Sequence, residues 1–401
     1  MAPMQAPRPD LDPHVFHPDP RSAGTVIVGM SGGVDSAVAA LLLRDAGYSV
    51  QGLFMSNWED DDDAYCTASS DFQDARRVCA VLGIALHRVS FAEQYRERVF
   101  AHFLREYAAG RTPNPDVLCN REIKFGVCLD YMQRLGGAWI ATGHYARLQC
   151  TPAGPQLLKA ADTAKDQSYF LHSVAPAALS RTLFPIGELR KPQVRKLAHA
   201  AGLPVYDKPD STGICFIGER PFQEFLSRHL HTRAGPIEND AGTVVGEHRG
   251  LELYTLGQRS GLKVGGRAGA APAPWYVAGK DAARNALIVV QHQDHPLLLS
   301  DAFDVEQLHW LDAGAAEHAV ECAVKTRYRQ NDLPCAVQAG AEIRRVTLHE
   351  PARAVTPGQY AVFYRGAQCL GGGVIAQRFN SRMPVAACGI TYTRQLSVEG
   401  S

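Results

Sequence analysis

Three things are scarce in this 401-residue chain, and each scarcity excludes a class of protein. No sign of charge dominates: 41 Lys and Arg balance 41 Asp and Glu. That excludes a protein held to nucleic acid by bulk positive charge, so an RNA or DNA partner must be met by local basic patches. Cysteine is sparse, with ten residues and no CxxC pair. Such density excludes a disulfide scaffold, and the spacing offers no zinc site. Reduced thiols in a cytosolic enzyme fit better. Long apolar runs are also missing. The longest obvious one, Ala37–Leu43, falls far short of the roughly 20 residues that span a bilayer. The opening stretch MAPMQAPRPDLDPHVFHPDPRS carries six prolines and no apolar core. It reads as a disordered tail rather than a signal peptide, and the expected location is the cytoplasm.

What is present is ordinary for a soluble chain, with 46% hydrophobic and 20% charged residues. The length predicts two or three domains. Thr25–Val28 is a β-branched run followed at once by GMSGGVDS, and Val34–Ala46 has helical composition ending at Gly47. Val50–Met55, Ala85–Val89 and Ala138–Thr142 are the next strand candidates. Asp71–Leu82, Ala92–Ala109 and Cys119–Leu135 are the helix candidates between them. Alternating strands and helices predict an α/β domain with a parallel sheet covered on both faces, and such sheets bind ligands at the carboxyl ends of their strands. After about residue 225 the pattern changes. From about Ser300 the runs are short and β-rich, as in AVECAVKTRYR, AEIRRVTL and GQYAVFYRG, which predicts a small β-barrel or sandwich. The expected division is a tail over 1–22, a nucleotide-binding domain over 23–225, a central domain over 226–298, a β-barrel over 299–384 and a tail over 385–401.

The chemistry begins at Gly29, Met30, Ser31, Gly32, Gly33, Val34, Asp35 and Ser36, between a strand and a helix. Glycines there let backbone N–H groups and the helix N-terminus approach phosphate. Ser31 and Ser36 add hydroxyls, and Asp35 either holds Mg²⁺ or orders the loop. The string is neither a Walker A loop nor a GxGxxG fingerprint. It resembles the PP-loop ATP pyrophosphatases, which cleave ATP between the α and β phosphates and place AMP on a substrate oxygen. The resemblance implies ATP along Gly29–Ser36, with Met55 at the adenine and Gly143 of ATGHY lining the pocket.

Two cysteines stand out by context. Cys119 lies in RTPNPDVLCNREIKFG, where Pro113 and Pro115 stiffen the approach and a helix is expected to start at the cysteine. A thiol at a helix N-terminus can favour the thiolate. Cys215 lies between glycines in DSTGICFIGERPF. Cys79, Cys128, Cys322, Cys335 and Cys369 sit in ordinary helix or strand patterns and read as small buried residues. Cys66 and Cys150 have no motif around them.

Taken together, PNPDVLCN, ATGHY, KDQSYFL, DSTGICFIG, GEHRGLELYTLGQRSGL, VKTRYRQ and CLGGG resemble the tRNA-specific 2-thiouridylases, from about Val26 to Ala376. The resemblance implies a Rossmann-like catalytic domain, a central domain and a C-terminal barrel. It implies ATP-dependent replacement of the wobble-uridine C2 oxygen by sulfur, with ATP and Mg²⁺ as cofactors, and tRNA and a sulfur-donor protein (a cysteine desulfurase or sulfur relay) as partners. A monomer is expected. By the same resemblance Cys215 carries a persulfide and Cys119 is its companion thiol, acting either to release hydrosulfide or to let the persulfide attack C2 directly. Neither is expected to bind metal. Asn114, Pro115 and Asp116 are implied at the target base. His144, Lys165, Asp166, Gln167, Arg327, Tyr328 and Gln359 are implied at the tRNA.

For RNA, two basic runs are visible. Leu189–His199 holds Arg190, Lys191, Arg195 and Lys196 without an acid. Lys325, Arg327 and Arg329 alternate along an expected strand, which would put three cations on one face and Tyr328 on the other. The acidic run Glu59–Asp63 reads as a solvated loop. Three other readings remain open at this stage: a PP-loop ligase adding nitrogen, a sulfurtransferase acting on another substrate, and a nucleotide-regulated RNA-binding protein without catalysis. Replacement of either cysteine separates the ligase from the thiolase.

Overall fold

The computed structural model describes residues 18–58, 68–210, 222–264, 273–340 and 342–381. Its first layer is a five-stranded parallel sheet. In chain order the strands are β1 (Thr25–Gly29), β2 (Ser49–Ser56), β3 (Leu86–Ser90), β4 (Gly137–Thr142) and, after a hairpin of β5 (Ala146–Thr151) and β6 (Gly154–Lys159), β7 (Thr182–Leu183). The spatial order is β3-β2-β1-β4-β7. β1 is central, and Val26, Ile27 and Val28 are fully buried, as expected of a parallel strand covered on both faces. Ile27, Leu53 and Met55 pack on one side of the sheet with Cys119, Phe125 and Ile140. Val26, Val28 and Phe54 pack on the other side, against the helix Val34–Asp45.

Two long helices differ from a plain α-helical expectation. The segment from Ala92 to Ala108 is continuous but winds as a π-helix over Arg96–Phe100. The second helix starts four residues earlier than expected, at Pro115 rather than Cys119. Asn114 caps it, its side chain accepting from the Asp116 backbone N–H at 3.2 Å, and Pro115 takes the first helical position. Cys119 therefore opens a π-helical stretch, Cys119–Val127, instead of a helix N-terminus. π-turns concentrate at functional sites because they displace side chains from the regular ladder.

The central domain is a four-stranded sheet of β8 (Gly235–Asn239), β9 (Val244–His248), β10 (Trp275–Asp281) and β11 (Ala286–Gln291), ordered β10-β11-β8-β9. The C-terminal domain is an antiparallel barrel of β12 (Leu299–Trp310), β13 (Val320–Lys325), β14 (Leu333–Val337), β15 (Arg344–Arg353), β16 (Tyr360–Arg365) and β17 (Gln368–Phe379). It is closed by pairing of β12 with β17. The β5–β6 hairpin, from the first domain, joins this sheet through β6 beside β17, with Lys159 N donating to Ala367 O at 2.8 Å.

One expectation is corrected here. β13 ends at Lys325, and Arg327 and Arg329 lie in the turn that follows, so the three cations do not share a strand face. Gln330 produces the turn by accepting from both the backbone N–H and the hydroxyl of Thr326. Lys325 itself faces Asp166 and Asp332, at 3.8 and 3.9 Å.

Candidate active site

The loop after β1 is built by its own hydroxyls. Ser36 Oγ accepts from Ser31 N–H at 3.2 Å and donates to Gly33 O at 3.1 Å, while Gly33 N–H donates to Ser31 Oγ at 3.3 Å. Gly32 adopts φ +76, and a Cβ there would collide with the Asp71 backbone. Gly143, at the end of β4, comes so close that its Cβ would sit 2.5 Å from Ser36 N. The sequence candidates Gly29, Met30, Ser31, Gly32, Gly33, Val34, Asp35, Ser36 and Gly143 thus form one local unit at the carboxyl ends of β1 and β4. Met55 adjoins it, with its methyl 3.8 Å from where a Cβ on Gly29 would stand. The helix Val34–Asp45 starts directly behind this backbone, which suits anion binding.

Asp35 is the anchor of a charge network that sequence reasoning missed. Lys191 Nζ donates to both of its carboxylate oxygens, at 2.7 and 2.8 Å, and Tyr145 OH donates to Oδ1 at 2.9 Å. Burial, and then the Asp35 charge, push the Tyr145 phenol far above its ordinary value, so it stays a donor. Lys191 also reaches Asp210 at 2.6 Å, as does Lys165, and Arg195 stands 3.4 Å away. Burial pushes the Asp210 carboxyl up, but the bonds from Lys165 and Lys191 outweigh it and hold the group below the usual carboxylate range. Lys208 braces the same loop from another side by donating to Gly32 O at 3.1 Å, Asp71 at 2.6 Å and Asp74 at 2.5 Å. The basic run at 189–199 is therefore not simply a surface patch, because Lys191 points at the nucleotide loop. The only visible clue was a lysine run without an acid beside it.

This network also decides how a divalent cation would fit. Asp35 is already committed to Lys191 and Tyr145, and no group of three metal-ligating side chains occurs among the described residues. The residues suit loop ordering rather than a built metal cage.

Cys119 is fully buried in the core that includes Met55, Ile123 and Phe125. Cys215 and the Glu59–Asp63 run lie outside the described residues. Cys79, Cys128, Cys335 and Cys369 are buried, Cys322 is half-buried and Cys150 is exposed. Burial pushes the Cys128 thiol up to about 12 and Cys79 to about 11, which keeps both protonated. His144 accepts from or donates to Thr142 Oγ1 through Nδ1 at 2.8 Å and lies between Phe125 and Phe184. Burial, helped by Lys124, holds its imidazole well below the ordinary value, so it is neutral at pH 7.

The remaining tRNA candidates fall into two groups. Near β5, Gln167 Oε1 accepts from Tyr145 N–H at 2.9 Å. Asp166 is buried, accepting from Ala160 N–H, Ser168 N–H and Ser168 Oγ. Lys165 pairs with Asp210, and its backbone carbonyl meets Tyr328 OH at 3.4 Å. Tyr328 packs on Phe170 with ring centroids 4.4 Å apart. The second group brackets the domains. Gln359, from the barrel, donates to Thr112 O at 2.8 Å and Pro113 O at 3.4 Å, just ahead of Asn114, Pro115 and Asp116. Arg327 donates to Leu256 O, Ala354 O and Thr356 Oγ1. Both side chains hold protein backbone, so they shape the surface as much as they present it.

Three domain families match in order. They are a tRNA methyl transferase HUP domain over residues 24–219, a tRNA methyl transferase PRC-barrel domain over 223–291 and an aminomethyltransferase beta-barrel domain over 300–375. A tRNA-specific 2-thiouridylase from Verminephrobacter eiseniae is 58% identical over 362 residues, 88% of this chain and 98% of that protein. Proteins of the same name from Alcanivorax borkumensis and Tolumonas auensis are 56% and 54% identical, each covering 88% of this chain and 97% of the relative. Among solved structures, a U34-tRNA thiolase from Methanococcus maripaludis aligns with 54% of this chain and 67% of its own, at 16% identity and a TM-score of 0.35.

Proposed function

Because this chain belongs to the tRNA-specific 2-thiouridylases, we propose that its phosphate loop and Cys119 serve one reaction, the ATP-dependent 2-thiolation of a tRNA uridine. The chain uses ATP and acts on tRNA. What supports the residue-level reading is the loop built by Ser31, Gly33 and Ser36 at the carboxyl end of β1, with Met55 adjoining it and Cys119 fully buried in the same large core as Met55.

The chemistry needs two steps. The C2 oxygen of uracil is a poor leaving group. Its attack on the α-phosphate of ATP releases pyrophosphate and leaves the base carrying AMP on that oxygen. The loop backbone at Gly32 and the N-terminus of the helix Val34–Asp45 face the phosphates, and Lys191 adds positive charge on the side of Asp35. Sulfur then replaces the oxygen, and AMP departs with the bonding pair. Cys215 carries the incoming sulfur as a persulfide. In either route Cys119 attacks the inner sulfur of Cys215 and forms a disulfide with it: the outer sulfur leaves first as hydrosulfide and then attacks C2, or it attacks C2 while still on Cys215 and is freed as the disulfide forms. A Mg²⁺ ion would be held mainly by the ATP phosphates and water rather than by a protein carboxylate, and would offset the phosphate charge. His144, neutral and held by Thr142 beside the nucleotide loop, meets the tRNA as a positioning group. Asn114, Pro115 and Asp116 meet the flipped base, since an unpaired anticodon base leaves its stack at a cost of a few kcal/mol. Lys165, Asp166, Gln167, Arg327, Tyr328 and Gln359 lie along the tRNA. A persulfide-bearing protein supplies the sulfur, and the enzyme works as a cytoplasmic monomer. In support of the location, no helix among the described residues is long and apolar enough to cross a membrane.

A methyl transferase, as two of the family descriptions read, has no use for a loop that presents backbone N–H groups to ATP phosphates. Nucleoside mass analysis of tRNA incubated with the chain, ATP, Mg²⁺ and a persulfide source decides between them. Thiolated wobble uridine is expected, and Cys119→Ser and Cys215→Ser should each abolish it. Near-normal turnover in either variant refutes the assignment.

A further inference from the structure

Asn57 stands one residue beyond β2 and is 1% exposed. Both polar atoms of its carboxamide, Nδ2 and Oδ1, are sealed from solvent without a hydrogen-bond partner. Native folds rarely keep a buried amide wholly unpaired, because it has lost its water bonds and gained nothing. Other buried polar side chains are satisfied, such as Asp166, which accepts from three donors. Among the described residues, Asn120 also has an open carboxamide atom, but it spends its Nδ2 on Phe170 O and so has a structural task. Asn57 has none.

Its position gives the vacancy a meaning. The carboxyl ends of parallel strands form the crevice in which such sheets bind ligands. Met55 and Trp58, on either side of Asn57, both pack in the core that contains Cys119. Asn57 thus follows Met55 by two residues at the carboxyl end of β2, the strand that pairs with β1 ahead of the nucleotide loop. An amide side chain presents one donor and one acceptor side by side, which complements the edge of a base. Adenine offers its N6 amino group beside N7, and uracil offers N3–H beside O4.

We propose that Asn57 is a base-reading residue, whose carboxamide pairs with the edge of a nucleobase drawn into this crevice. The inference rests on the thiolation reading above. Two bases present the required edge, the adenine of ATP and the uracil of the tRNA, and kinetics separate them.

The full-length chain is compared with Asn57→Leu and Asn57→Ala by measuring KM for ATP, KM for tRNA, kcat and thermal unfolding. A lost bidentate base contact raises KM for one substrate by about 10- to 100-fold. A rise confined to ATP identifies adenine, and a rise confined to tRNA identifies uracil. Asn57→Leu should melt no lower than the parent chain, because it removes an unpaired amide in favour of an apolar group of similar size. If the Leu variant does not fold, Asn57→Ala is read by the same two KM values. Both constants staying within about twofold of the parent overturns the proposal, as does an equal rise in both with a lower melting temperature. If the parent chain forms no 2-thiouridine, the thiolation reading itself has failed, and that outcome is distinct from either of these.

Discussion

Replacing Lys191 by Met tests whether charge holds the phosphate loop in shape. Lys191 Nζ lies 2.7 and 2.8 Å from the oxygens of Asp35 and 2.6 Å from Asp210. Its side chain is 11% exposed, against 30% for Asp35 and 33% for Asp210. Met keeps most of the stem and removes the charge. Asp210 retains Lys165 and Arg195, whereas Asp35 keeps only the Tyr145 hydroxyl. The loss therefore concentrates on Asp35. A charge-assisted bond is worth about 1.5–3 kcal/mol, and water reaching a third-exposed carboxylate returns part of that. We expect a loss of about 2 kcal/mol in stability, with a raised KM for ATP because the loop loosens. Asp35→Asn removes the same attraction from the other end. The double variant should then lose about 1–2 kcal/mol less than the two single losses added together. Urea melts of the four chains at one pH and salt concentration, with ATP kinetics alongside, measure this. Full additivity, or an unchanged KM for ATP in Lys191→Met, would refute the reasoning.

Gly143→Ala places a methyl 2.5 Å from Ser36 N and 2.7 Å from the Asp35 carbonyl carbon, so the loop must move. An overpacking cost of about 1–3 kcal/mol follows, and KM for ATP should rise while tRNA affinity holds; equal ATP kinetics would count against the close approach. Burial holds the His172 imidazole down at about 4, below the 6.5 of a free histidine, although its bond to Tyr169 O works the other way. The folded chain thus binds fewer protons than the unfolded chain between those values. Stability is full above pH 6.5 and falls as acid is added toward pH 4, by up to about 3 kcal/mol. His172→Gln should flatten that fall in urea melts at pH 5 and 7, and an unchanged slope would argue against it. Gln359→Ala removes the bonds to Thr112 O and Pro113 O and should lower the urea midpoint by about 1 kcal/mol equivalent, with no shift if the bracket is idle.

Much of the fold was legible in the sequence because parallel strands buried on both faces read as short β-branched runs, and Thr25–Val28 is one. The loop at Gly29–Ser36 was legible because its SGGVDS string between a strand and a helix is specific, although the steric demands on Gly32 and Gly143 come from Asp71 and Ser36, distant in sequence. What escaped notice was long-range. Lys191 meets Asp35 across 156 residues of chain, and nothing local to either marks the pairing. The π-helical windings at Arg96–Phe100 and Cys119–Val127 were invisible because their composition is that of ordinary helix. The Asn114-Pro115 pair is a recognisable cap, and the helix begins there, four positions ahead of Cys119. Arg327 and Arg329 were misplaced because alternation resembles a strand whether or not a glutamine at 330 closes a turn.

The β5–β6 ribbon has a practical consequence. It leaves the nucleotide-binding portion and lends its outer edge to β17 of the barrel, so the boundary between the two portions does not coincide with any single cut in the chain. A fragment ending near residue 225 would carry β6 with its outer edge unpaired, an invitation to stack against a neighbour. Dissecting this enzyme into an ATP-handling piece and an RNA-handling piece calls for supplying the barrel separately as a complementing partner, not for trimming the gene.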